Sequence, residues 1–486
     1  MTLHQPRTTR RLGSIACVAA CLACGVRAHA HGFGERYDLP VPLWLWIGAA
    51  AAAVILSFVL MGGFVTWRLS GTAYPRFILL RFRIARALTS ALFRRVVQSF
   101  SAVLLVLVVA AGLFGDQTPT RNLAPTFIWI VWWVGFAYLS ALVGNVWTFV
   151  NPWEALFITY ETLSKRALHT SPEIRRRRWP LWLGVWPAAM LFFVFAWVEL
   201  VYDGRSIPSH LAWLCIGYSA LTWAGMFVFG RTVWLRNADP FANAFGAFAR
   251  FSVTEARPRE WNLRPFGVGL LDPRDVTPSM VVFVLLLLST VTFDGFSATP
   301  LWGRLQDALY SALPGSGNAR LTFIGSAGLA VFAGGFVAIY ALIARAIAVA
   351  GRREIESGAV ARLFVLSLVP IAIAYHLAHY FTYLLIQGQL VIRLASDPFG
   401  FGWDLFGTAR HRPDIGIVGA RFAWYVAVVA IVIGHVVAVS VAHIIALREY
   451  SNRRVALRSQ VPMLILMVVY TMVGLWIIAQ PIVETR

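Results

Sequence analysis

Residues 278–296 read PSMVVFVLLLLSTVTFDGF. From Met280 to Val291 the only polar side chains are Ser289 and Thr290, so no face of this run is suited to water. The run is long enough to cross roughly 30 Å of hydrocarbon at about 1.5 Å per residue. It also ends on a carboxylate, Asp294, one turn after Thr290. Runs of the same kind recur near 43–66, 99–115, 127–144, 181–199, 210–230, 322–349, 363–386, 421–446 and 461–480. Helices satisfy their own backbone hydrogen bonds in lipid. The expected fold is therefore an all-α integral membrane protein, a polytopic bundle of about ten transmembrane helices with short interfacial helices.

Composition agrees. Of 486 residues, 59% are apolar and 13% charged, more hydrophobic material than one soluble core of this length needs. The net charge of +20 does not point to nucleic acid, because the basic residues alternate with hydrophobic runs and form no continuous face. Lys165 is the only lysine, which leaves almost no candidate for a lysine nucleophile.

Residues 1–30 carry Arg7, Arg10 and Arg11, the apolar run Leu12 to Val26, and Ala28-His29-Ala30. This order matches a cleaved signal peptide and predicts a mature chain of one polytopic domain, 31–486, starting at His31. A lipoprotein-like site before Cys21 and a twin-arginine signal at Arg10-Arg11 are the alternatives. Cys17, Cys21 and Cys24 fall within the leader, so only Cys215 remains and no intrachain disulfide is expected. With the first run crossing from outside to inside, the cytoplasmic segments hold 28 of the 42 basic residues and the external ones 10. The positive-inside rule then predicts a bacterial inner-membrane protein with both mature ends in the periplasm. The arginines from Arg68 to Arg95 and Arg175 to Arg178 read as topogenic and headgroup contacts. Trp44, Trp46, Trp197 and Trp302 read as interfacial anchors.

A short pattern recurs as NPWEALF at 151, DPFANAF at 239 and DPFGFGWDLF at 397. Asn or Asp before Pro suits an N-cap and first helical position, so each predicts a short amphipathic helix on the membrane surface. Two external segments, 297–321 and 387–420, are long enough to act as lids. The first contains LWGRLQDALYSAL, with Trp302, Leu305, Leu309 and Leu313 on one stripe.

Ionisable groups inside hydrocarbon usually face a polar interior and mark function. AYHLAHYFTYLLIQGQ at 374–389 sets His376, His379, Tyr380, Tyr383 and Gln387 on one stripe of the eighth run. The ninth run carries His435 and, eight residues on, His443, which lies about 12 Å away and cannot share its ion. Glu199 and Asp203 close the fourth run, Asp294 the sixth, and His210 opens the fifth, all on the external side. Neutral imidazoles with carboxylates suit a divalent transition metal: zinc first, with manganese, iron or copper as alternatives. The expected ligands are His376, His379, His435, Asp294 and Glu199, with Asp294 and Glu199 in catalytic roles. His31, Asp203, Tyr380 and Tyr383 are further members. The structural alternative is that the histidines bond across helices and the carboxylates cap helix ends in water.

Neither a phosphate-binding G-x-x-x-x-G-K-[ST], an H-E-x-x-H, nor a G-x-S-x-G elbow occurs in 31–486. The start HGFGERYDLPVPLWLW at 31–46, the nine further hydrophobic runs and YHLAHYFTYLL at 375–385 resemble the membrane-associated bacterial fenitrothion hydrolases over the mature chain. What the resemblance implies is hydrolysis of organophosphorus triesters with release of a nitrophenol; it carries over no catalytic residue. A neutral, apolar triester would enter from lipid, and the lipid bilayer would be the other partner. Two competing functions share this composition: a transporter or metal-handling protein with a path past His443, and an assembly protein without turnover.

Overall fold

The computed structural model describes residues 37–64, 74–168, 176–273, 275–314 and 317–484. Residues 1–30, read above as a leader, and His31 lie outside the described residues. Ten helices within them are long and apolar enough to cross a membrane: Leu43–Gly63, Ala91–Phe114, Leu123–Leu142, Leu181–Leu200, Pro208–Phe229, Pro278–Ser297, Gly317–Ala350, Ser357–Gln387, Ala420–Glu449 and Arg453–Gln480. They are called spans one to ten below. The chain is an all-α, multi-pass membrane protein. Most spans begin or end within a few residues of the hydrophobic runs, but several helices reach further. Span two starts at Ala91, so that Arg94 and Arg95 lie inside its first turns. A long arginine stem can cover apolar surface while its head stays in water, so a helix need not stop where charge begins.

Caps fix the starts. Span six begins with Thr277, whose Oγ1 accepts from the Met280 N–H at 3.2 Å, followed by Pro278 at the first helical position. Ser90 caps span two in the same way, accepting from the Phe93 N–H. Spans six and eight are the most enclosed, whereas spans one and seven leave much of their apolar surface outward. The most enclosed positions are therefore on the helices that carry Asp294, His376 and His379. In span three, residues Thr126–Val134 are wound as a π-helix. Such widened turns recur at functional sites, and here one carries Trp132 and Trp133 into the core.

The chain's two described ends meet. Tyr37–Asp38 pairs in parallel with Val483–Glu484, which puts both ends at one face of the bundle. At the other face a three-stranded antiparallel sheet, in the order 77–78, 260–263, 254–257, ties the segment before span two to the one after span five.

The first two Asx-Pro segments differ from expectation. Both are capped helices, Pro152–Leu168 and Pro240–Ala249. Asn151 Oδ1 accepts from the N–H groups of Trp153 and Glu154, and Asp239 Oδ1 from those of Phe241 and Ala242. They do not begin on the membrane surface. Asn151 and Asp239 are 2% and 0% exposed. Trp153 Nε1 donates to Ser219 Oγ at 2.7 Å, and Ser219 lies about 15 Å back from the Phe229 end of span five. The chain thus re-enters the bundle after spans three and five and starts each helix inside it. The cause is composition: Phe241, Ala244, Phe245, Ala247 and Phe248 leave the second helix with no wet face. At the third segment Asp397 accepts instead from Phe401 and Gly402 N–H groups in a turn, because Gly400 and Gly402 adopt left-handed backbone and no helix forms.

Two of the expected anchors are also internal. Trp302 is buried against Phe293 and Phe296, and the Trp197 indole donates to Ser326 Oγ at 2.7 Å. Trp44 is 68% exposed, as a lipid-facing ring should be.

Candidate functional site

Four spans supply the site. Glu199 comes from the last turn of span four, Asp294 from the last turn of span six, His376, His379 and Tyr380 from the middle of span eight, and Trp133 from the π-helical turn of span three. Asp294 is its centre. His379 Nε2 bonds Asp294 Oδ2 at 2.8 Å, and the Tyr380 hydroxyl donates to the same oxygen at 2.6 Å. Glu199 Oε1 lies 3.3 Å from that hydroxyl, so Tyr380 stands between the two carboxylates. A carboxylate oxygen accepts, so an ionised Asp294 holds the His379 proton on Nε2 and turns the Nδ1 lone pair the other way.

His376, three residues before His379, is in a different setting. It is 4% exposed, and neither ring nitrogen has a hydrogen-bond partner. Its ring is enclosed by Tyr380, Tyr138, Trp133 and Phe248, with centroids 4.7, 5.4, 5.8 and 6.1 Å away. The Tyr138 hydroxyl donates to the His376 carbonyl at 3.1 Å, which ties the backbone to span three. Beside the ring is a cavity of about 10 Å³, lined by Glu199, Tyr380, Thr290, Trp133 and Phe248 among others. That is the space a single water centre needs.

The structure brings together Glu199, Asp294, His376, His379 and Tyr380. Tyr383 extends the set, its ring 6.3 Å from that of Tyr380. His435 faces elsewhere: its Nδ1 bonds the Ile431 carbonyl at 2.8 Å and its ring lies 5.9 Å from Tyr470. It shares no hydrogen bond or ring contact with the other five residues. Asp203 is exposed, in the short turn Asp203–Ser206. His210 bonds the Tyr202 hydroxyl, and His443 bonds Gln460 Oε1 at 2.9 Å.

Imidazole and carboxylate are donor types that zinc, manganese, iron or copper accept. His379 and Asp294 face each other, and among the described residues no three His, Cys, Asp or Glu side chains converge as a metal shell.

Sequence reasoning missed Trp133, Tyr138 and Phe248. Phe248 had a signal, the Asp239-Pro240 cap, because a helix that starts inside the bundle can deliver an aromatic to its interior. Of the flanking segments, 297–321 contains the helix Pro300–Ala312, whose Trp302 packs in one cluster with Val201 and Phe293, neighbours of Glu199 and Asp294. Leu305 and Leu309 of its stripe stay exposed. Segment 387–420 is pinned to the start of span three, where Leu123 and Asp116 N–H groups donate to the Pro398 and Phe399 carbonyls.

No family model, curated protein or solved structure matches this chain.

Proposed function

We propose that this chain is a metal-dependent hydrolase of small, neutral organophosphorus triesters, set in a bacterial inner membrane with its Glu199 and Asp294 end toward the periplasm. The observation that carries the reaction class is His376, buried with both nitrogens unpartnered on a water-sized cavity that Glu199 and Tyr380 also line. The substrate class rests on the resemblance of the stretches at 31–46 and 375–385 to the fenitrothion hydrolases. It agrees with a site walled by four aromatic rings, which suits an uncharged, lipid-soluble ester.

His376 and Glu199 would hold the metal, zinc by preference, with Asp294 and His379 adjacent. Bound there, it would lower the pKa of water and polarise the P=S or P=O group. Asp294 holds the His379 tautomer and takes the Tyr380 proton in a hydrogen bond. Glu199, the carboxylate that lines the cavity, is also placed to accept the proton of the attacking water. Tyr380, with its oxygen 2.6 Å from Asp294 and 3.3 Å from Glu199, stands between the two carboxyl groups. The helix Pro300–Ala312 flanks the route from the outer leaflet.

Purified, metal-replete protein should release nitrophenol from fenitrothion or its oxygen analogue. No release, together with metal movement across proteoliposomes, would assign the same cluster to transport. Against transport stands the next step inward: His443 and Gln460 are bonded to each other and fully enclosed, and Gln460 Nε2 is bonded to the Ala456 carbonyl.

A further inference from the structure

At the opposite end of the bundle from Asp294, where spans six and eight start and span nine ends, lies a cleft of about 500 Å³. That is within the roughly 300–1,000 Å³ that small-molecule sites occupy. Pro273, Val276, Ile355, Ala359 and Leu363 give it apolar walls, and Arg362 and Glu449 are the two charged groups among its described lining residues. Its rims are fixed. Arg448 donates to the Leu271 carbonyl at 3.2 Å and Arg250 to the Asp272 carbonyl at 2.9 Å, which holds the segment before span six. Glu354 accepts from the Ser451 N–H at 2.9 Å and from its hydroxyl at 2.7 Å, which ties the segment before span eight to the one after span nine.

The two charges stand unpaired. Elsewhere Glu154, Glu161 and Glu255 bridge to Arg231, Arg176 and Arg76 at 3.3, 3.0 and 3.0 Å. Arg362 and Glu449 line one cleft, yet among the described residues neither makes an ion pair or a side-chain hydrogen bond, with the other or with any third group. Arg362 is half-buried and lies back along its own helix, its Nη1 3.8 Å from where a Cβ at Gly358 would be. Glu449 is exposed. One fixed cleft thus offers a guanidinium, a carboxylate and an apolar wall, at the level where three spans meet the lipid headgroups.

We propose that this cleft binds a zwitterionic phospholipid whose headgroup ends in a primary ammonium, phosphatidylethanolamine. The planar fork of Arg362 suits the phosphate oxygens. The ammonium, with three N–H donors, meets Glu449, which can only accept. The glycerol and the first acyl carbons lie on Pro273, Val276, Ile355, Ala359 and Leu363. Clefts with a basic side chain between spans hold lipid headgroups in this way, and Glu449 sets the choice among them. It repels an anionic lipid that brings no cation, and a quaternary ammonium has no N–H to give it. The proposal is independent of the reaction at Glu199 and Asp294.

The full chain is reconstituted in nanodiscs of equal parts phosphatidylethanolamine, phosphatidylglycerol and phosphatidylcholine, released into detergent, and the lipid that stays bound is counted by native mass spectrometry. The native protein should retain one phosphatidylethanolamine, enriched about fivefold or more over each of the other two. Arg362→Gln should abolish the enrichment. Glu449→Gln should remove the preference over phosphatidylcholine and raise phosphatidylglycerol. Ala359→Trp, which fills the cleft and leaves both charges, should also abolish retention. Arg304→Gln, on the helix Pro300–Ala312 at the Asp294 end, should change nothing. Equal retention of the three lipids by the native protein, a native preference for phosphatidylglycerol, or enrichment that survives in the Arg362, Glu449 and Ala359 variants alike overturns the proposal.

Discussion

Asp294→Asn tests the centre of the site with almost no change of shape. In the native protein one oxygen, Oδ2, accepts both from His379 at 2.8 Å and from Tyr380 at 2.6 Å. An amide oxygen turned to the same place can still accept both, so what is lost is the charge on the acceptor. Hydrogen bonds to charged groups contribute about 1.5–3 kcal/mol and neutral ones about 0.5–1.5 kcal/mol. Over two bonds the difference comes to about 2–3 kcal/mol, or about 30- to 160-fold in rate if it acts in the transition state. The apolar walls that would bind the ester are untouched, so kcat should fall by that factor while KM holds. Nitrophenol release gives both constants. Nitrogen-15 NMR of the His379 ring supplies a readout free of activity: the native ring should be the Nε2–H tautomer, and the variant a mixture. A kcat within twofold of native, with His379 still a single tautomer, would refute the argument that Asp294 positions this imidazole.

Three further outcomes follow from other parts of the molecule. A reporter active only in the periplasm, fused after Arg486, should be active, since Val483–Glu484 pairs with Tyr37–Asp38 and the basic residues favour the opposite face; an inactive fusion in a correctly inserted protein would invert the orientation. Chelation should abolish turnover, and His376→Ala should lower bound metal measured by elemental analysis while helicity is kept; full occupancy in that variant would remove His376 from the ligand set. On the strand 254–257, burial alone would raise the Glu255 carboxyl, but bonds from Tyr74 and Arg76, with Arg257 and Arg264 close by, outweigh it and hold the group below the usual carboxylate range. A depressed folded pKa means the contribution is present above the unfolded value and lost as pH falls through the folded one. Native protein should therefore lose more stability than Glu255→Gln on acidification toward about pH 3, and parallel unfolding curves would show that the cluster contributes nothing.

Much of the fold is legible in the sequence because lipid simplifies the problem. Where backbone must be satisfied internally, length and apolarity identify a helix, and all ten hydrophobic runs correspond to long helices here. What lies between the runs is harder. NPWEALF and DPFANAF announce a capped helix, and that much can be read. Their depth depends on whether the aromatic faces meet lipid headgroups or other helices, which the hydrophobic pattern alone does not distinguish. The same holds for Trp197 and Trp302: a tryptophan near a helix end suits the interface, but each finds a neighbouring helix instead.

The histidines show the limit most clearly. Periodicity within span eight places His376, His379 and Tyr380 on one stripe, and the structure does bring Asp294 and Glu199 to that stripe. Depth along span nine suggests that His435 should join them. Depth does not fix rotation. Spans eight and nine pack through Gly434, where a Cβ would lie 2.4 Å from the Ala374 Cβ and 2.9 Å from the Pro370 carbonyl oxygen, so no other residue allows that approach. With glycine turned toward span eight, the next residue points about 100° round the helix. His435 is that residue, and the turn carries it toward Tyr470 of span ten. One close backbone contact therefore decides which histidines can share the carboxylates and which one stands behind them, against Tyr470.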